Sequence, residues 1–243
     1  MNQKLSANRA KPALIFLAAA ATLAGAAQAQ DSTAPYARMA PLDEYLIPDR
    51  NAEIALARTA APSSVSNDAT ILILGRHGYE TAVQGKNGFV CLVERAWNGP
   101  FEGDDGFWNP KNRGPDCYNA AAARTVLPII LMRAKLALAG ESKEKMRESI
   151  KAAVEKKELL PPEPGGMAYM LSKQQHLNDA AGHWLPHLMF FVPVKDANTW
   201  GADVPGSPVM VNPHFNGAPE PVTEFMVPVS KWSDGTPVEK HGG

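Results

Sequence analysis

The sequence predicts an α+β fold: a mainly antiparallel sheet with two or three helices and long Pro/Gly-rich loops. Three observations carry this. Strand-like runs crowd between Thr70 and Arg95, helical stretches fill the middle, and short strands punctuated by Pro and Gly make up the rest. Blocks of strands, then helices, then strands argue against alternating βαβ units. The 243 residues are 45% hydrophobic, enough for a substantial core. No linker-like stretch divides them, so residues 49–243 are expected to form a single domain.

Taken in order, a short helix begins after Asp49, a cap that can accept from a free N–H of the first turn. Ile54, Ala57 and Arg58 follow at helical spacing, and Ala61-Pro62-Ser63-Ser64 ends it. Thr70 to Leu74 is a buried-strand run, and Tyr79 to Val83 continues it or forms a second strand. Gln84-Gly85-Lys86-Asn87-Gly88 is a turn, with Phe89 to Arg95 returning as the hairpin partner.

Asn98 to Asp116 is a long loop carrying Phe101, Phe107 and Trp108, with Trp97 just before it. Loops of this length without their own structure are usually functional or stapled. Tyr118 to Ala139 reads as helix, kinked or divided at Pro128. Ser142 caps a second helix reaching about Lys157, with Met146, Ile150 and Val154 as its buried stripe. Short strands then run from Met167 to Leu171, Leu188 to Val192, Pro208 to Val211 and Glu224 to Val229.

The N-terminal segment sets the compartment. Lys4, Arg9 and Lys11 precede an apolar run from Ala13, which leads to Ala27-Gln28-Ala29. A basic region, an apolar region and a small-x-small site make a secretory signal peptide, 1–29, cleaved near Ala29. The run falls short of the ~20 residues a spanning helix needs. Processing would leave 214 residues with 21 basic and 25 acidic side chains, a formal charge of −4. Such mild acidity gives no reason to bind nucleic acid. Residues 30–48 are expected to be extended or mobile. The protein is therefore expected in the periplasm or outside the cell, without a transmembrane segment in its mature form.

Export changes how the cysteines read. Cys91 and Cys117 are the only two, and an even count in an oxidising compartment predicts a disulfide. It would tie the returning strand to the start of the long helix and close the aromatic loop.

Several constellations can carry chemistry. Arg76-His77-Gly78, at the end of a predicted strand, resembles the opening motif of the histidine phosphatase superfamily. The resemblance implies a phosphoryl-accepting His77 and a phosphate-holding Arg76. That family continues into a helix, whereas Tyr79-Glu80-Thr81 here leads into strand. The remaining His-Gly-Gly is His241-Gly242-Gly243.

His183 and His187, four apart around Pro186, can share a face and chelate Zn²⁺, with Asp179, His176 or His214 adding ligands. Glu102, Asp104, Asp105, Asn109, Asn112 and Asp116 offer oxygen ligands for Ca²⁺, without an EF-hand pattern. Trp97, Phe101 and Trp108, together with Asp104 and Asp105, form a candidate ligand loop. Its aromatics either stack on a ligand or fold back over the core. Ser142-x-x-Lys145 lacks the companion motifs of penicillin-binding enzymes, and no Gly-x-Ser-x-Gly elbow occurs. The function these features favour is a non-catalytic binding or structural module of the cell envelope, its ligand or envelope partner unspecified. A phosphate-directed or metal-assisted hydrolase and a metal-binding protein are the alternatives.

Overall fold

Eight strands form one sheet. They are β1 (Thr70–Gly75), β2 (Gly78–Val83), β3 (Val90–Glu94), β4 (Gly114–Tyr118), β5 (Met167–Met170), β6 (His187–Pro193), β7 (Met210–Asn212) and β8 (Val222–Pro228). Their order is β2-β1-β3-β4-β5-β6-β8-β7. All neighbours pair antiparallel except β1 and β3, which run parallel. With α1 (Arg50–Arg58), α2 (Ser63–Ser66), α3 (Ala120–Thr125), α4 (Leu127–Leu138) and α5 (Lys143–Glu155), the fold is α+β.

This computed structural model describes residues 35–103, 106–180, 182–194, 197–215 and 217–239, all within the unit Ser32–Gly243. The expected signal peptide and its Ala29 site, together with Asp104, Asp105 and His241, lie outside the described residues. Among the described residues no helix is long and apolar enough to cross a membrane.

The hairpin differs from expectation. β2 returns antiparallel on β1 through a tight turn at Arg76-His77, with Gly75 opposite Gly78. Residues 84–89 then cross the start of β1 and deliver β3 to its other side, where Thr70 faces Val90 in parallel register. The crossing is close. A Cβ on Gly85 would sit 2.2 Å from the Thr70 nitrogen and 2.3 Å from the Ala69 carbonyl carbon. Only a residue without Cβ allows that approach. Gly85 N–H donates to Thr70 Oγ1, and Lys86 N–H to the Asp68 carbonyl. The Asn-Gly pair misled because its turn chemistry suits a hairpin equally well.

Period-two alternation sorts the strands into two faces. On one, Ile71, Cys91, Val93 and Cys117 pack under Ala57 and Ala60 at the α1 end. On the other, Leu92, Tyr118, Ala168, Met189 and Phe191 meet the apolar sides of α4 and α5, including Ile129, Ile130, Met146 and Ile150. Asp49 caps α1 by accepting from the Asn51 N–H, and Ser142 caps α5 through the Lys145 N–H. The expected long helix is two. β4 runs to Tyr118, Asn119 caps α3, and α4 starts beyond Val126 with Pro128 in its first turn. There the missing proline N–H costs no hydrogen bond.

Cys91 and Cys117 are joined, fully buried, and directly opposite each other on β3 and β4. The bridge therefore staples neighbouring strands, because Cys117 belongs to β4 and not to a helix start. With 26 residues of separation, loop-closure entropy makes it worth about 3.5 kcal/mol. Residues 35–48 contain one 3-10 turn, Leu42–Glu44. Behind it, Tyr45 is fully buried against Trp97 and donates to the Trp108 carbonyl.

Candidate functional site

Where α4 and α5 stop covering the inner face of the sheet, a cavity of about 690 Å³ opens between the 94–114 connection and strands β5, β6, β7 and β8. Its size suits a small organic molecule. Met170, Met189, Met226, Leu177 and Trp184 give it apolar walls. Polar side chains enter from separate elements: Glu94 ends β3, Asn98 follows it, His187 opens β6, and Asn212 and His214 flank the end of β7.

The polar floor follows from register. Glu94 and Asp116 occupy inward positions on β3 and β4, and Glu224 faces Asn212 across β8 and β7. Tyr118 Oη donates to Glu94 Oε1, and Asn212 Nδ2 donates to Glu224 Oε1 at 2.5 Å. Asn212 Oδ1 accepts the His214 N–H, fixing the turn that presents the imidazole. His214 Nδ1 stands 4.0 Å from Glu224 Oε2. Asp116 Oδ1 accepts the Cys117 N–H.

Low dielectric and mutual repulsion hold protons on these acids. Burial raises Glu94, against the lowering influence of Tyr118 and Asn98. Burial first, then the charges of Glu94 and Glu224, pushes Asp116 well up. Burial carries Glu224 to about 8. Desolvation drives His214 the other way, to about 3, so it is neutral at pH 7. His187 is also lowered by burial. Its Nδ1 lies 2.7 Å from the Leu185 carbonyl, an acceptor only, so the proton sits on Nδ1 and Nε2 is left as an acceptor.

Three polar groups in the lining have buried atoms without a protein partner: Asn98 Oδ1 and Nδ2, Asn112 Oδ1 and His214 Nε2. Asn98 is 1% exposed. Its amide reaches Glu94 and lowers it through a side-chain hydrogen bond, though neither amide atom meets the geometry of a well-formed one. An unpaired buried amide costs about 1–3 kcal/mol, and Asn98 keeps two such atoms together at the cavity.

The rim is exposed and tied by Asp179. Tyr36 Oη donates to it at 2.5 Å, Asn109 Nδ2 at 3.1 Å, and His176 Nε2 and Lys111 Nζ lie at 3.2 and 3.4 Å. These donors hold the Asp179 carboxyl well below the usual carboxylate range. Behind the floor, Arg133 and Glu220 form a fully buried ion pair at 2.7 Å. The guanidinium lies over the Phe101 ring and donates to the Asn98 and Gly99 carbonyls, which fixes the loop carrying Asn98.

The residues singled out from sequence are dispersed. Arg76 and His77 form the exposed β1–β2 turn, with Arg76 paired to Asp43 and β2, not a helix, following. His183 packs on Trp232 and His187 on Trp184, while Asp179 sits at the rim. Among the described residues no three His, Cys, Asp or Glu side chains are grouped to hold a metal. Glu102 pairs with Arg147, whereas Asp116 is buried in β4. Trp97, Phe101, Phe107 and Trp108 are core residues, and none lines the cavity. Glu94, Asn98 and Glu224 carry the site and went unnoticed in the sequence. The signal was there: acids at inward positions of apolar strand runs, where an unpaired charge is expensive.

Compared with family models, curated proteins and solved structures, the chain matches none, so its function rests on the site alone.

Proposed function

We propose that this is an exported, disulfide-stapled protein that binds a small organic molecule in the cavity above Glu94. The observation that carries the reading is Asn98, whose amide is buried in the cavity lining with no well-formed hydrogen bond and only a loose contact to Glu94. Supporting it are the rigid surroundings, since strands and the Arg133 contacts fix the floor. The basic-apolar-small N-terminal pattern and the Cys91–Cys117 bridge support an oxidising, extracytoplasmic compartment.

A thermal-shift screen of small organic compounds tests this. A ligand at a hundred times its Kd stabilises the folded state by about 2.7 kcal/mol. Hits should raise the midpoint of the natural protein, and Asn98→Leu, similar in shape without the amide, should lose most of that shift. Hits that stabilise Asn98→Leu equally would place binding elsewhere and defeat the proposal.

The raised carboxyl of Glu94 favours acid–base catalysis as a second reading. It requires turnover of chromogenic ester or glycoside substrates that disappears in Glu94→Gln. Turnover unaffected by that substitution would remove it.

A further inference from the structure

The cavity is one-sided in its chemistry. Glu94 lies in its floor at 6% exposure, close enough to the acids buried behind it to raise both Asp116 and Glu224. Arg95 in the lining is paired with Glu53 and two backbone carbonyls. Arg133, whose field reaches Glu94, lies outside the lining and is paired with Glu220 and two backbone carbonyls, its Nη2 alone without a partner. Among the remaining groups Asn112 Oδ1, Asn98 Oδ1 and the unprotonated Nε2 of His187 accept, against one unpaired amide donor, Asn98 Nδ2. Around them stand three methionines and Trp184. Acceptors and carboxyl oxygens call for a ligand that donates hydrogen bonds and carries positive charge. A ring face and polarisable thioethers suit both a cation and an apolar body. A carboxylate or phosphate ligand would meet the Glu94 carboxyl in the floor and Asp179 at the rim instead.

We propose that the occupant is an organic monocation, its ammonium head against Glu94 and its apolar body against Met170, Met189, Met226 and Trp184. This rests on the ligand-site reading above. The groups acting on Glu94 are Tyr118 and Asp116 from β4, Asn98 from the following loop and Arg133 from α4, and Glu94 in turn acts on Glu224 of β8. A bound cation favours the ionised acid, so it competes with the proton that burial retains on the cluster.

Isothermal titration with three matched probes tests the assignment: tryptamine, its neutral alcohol counterpart tryptophol, and indole-3-acetate. Tryptamine should bind at least about tenfold tighter than tryptophol, a difference of about 1.4 kcal/mol, and indole-3-acetate weakest. Tryptamine affinity should rise as pH is raised from mildly acidic values toward 8 and protons leave the buried acids, while tryptophol affinity stays flat. Glu94→Gln, whose folding is checked by its melting transition, should erase the amine preference yet keep tryptophol binding. Tryptophol or indole-3-acetate binding as tightly as tryptamine would overturn the monocation and leave the ligand site standing. If none of the three binds while other compounds shift the midpoint through Asn98, the monocation also falls. Only a silent screen would remove both.

Discussion

At the scale of single residues, Glu224 and His214 show how burial sets the charge state of the site. Glu224 titrates near 8 in the folded chain against an ordinary 4.5. Between those values the unfolded chain has released a proton that the folded chain keeps. Its contribution is therefore fully present below pH 4.5 and is lost as pH rises toward 8. His214 has the opposite sign: its folded value near 3 lies below the ordinary 6.5, so its contribution is complete above pH 6.5 and is lost on acidification. The two oppose each other at mildly acidic pH. Above 6.5 the Glu224 slope remains. Urea midpoints should fall from pH 6.5 to 8, and fall less in Glu224→Gln. An unchanged slope in that variant would contradict the assignment. None of this was legible residue by residue, because an acid in a strand looks the same in sequence whether its face meets water or a covered cavity.

At the scale of elements, most of the fold was legible. The Asp49 and Ser142 caps, the break at Pro128 and the alternating strands each follow from local chemistry. Pairing was not, since the partner of β1 depends on a crossing that local propensity does not encode. Gly85 is the residue that permits it. Gly85→Ala should destabilise the protein by about 3 kcal/mol, an effect of overpacking against backbone that cannot relax. Chemical denaturation measures it, and a loss below about 0.5 kcal/mol, the range of an ordinary surface substitution, would mean the loop does not cross as described.

At the scale of the whole molecule, covering is uneven and that unevenness makes the site. α4 and α5 seal the inner face near Leu92 and Phe191, whereas the β5–β8 end is left to a loop held by Arg133 and a rim held by Asp179. The aromatics of that loop were expected to meet either a ligand or the core. They pack in the core, and their backbone carries Asn98 and Asn112 to the cavity. The central claim is that this cavity is a ligand site, and methionine-methyl NMR tests it most directly. Met170, Met189 and Met226 line the cavity, whereas Met146 is buried on the core side of α5 and does not. Titrating a compound that raises the melting midpoint should shift the first three methyl signals saturably and leave Met146 in place. Shifts absent from those three, or centred elsewhere, would contradict the account.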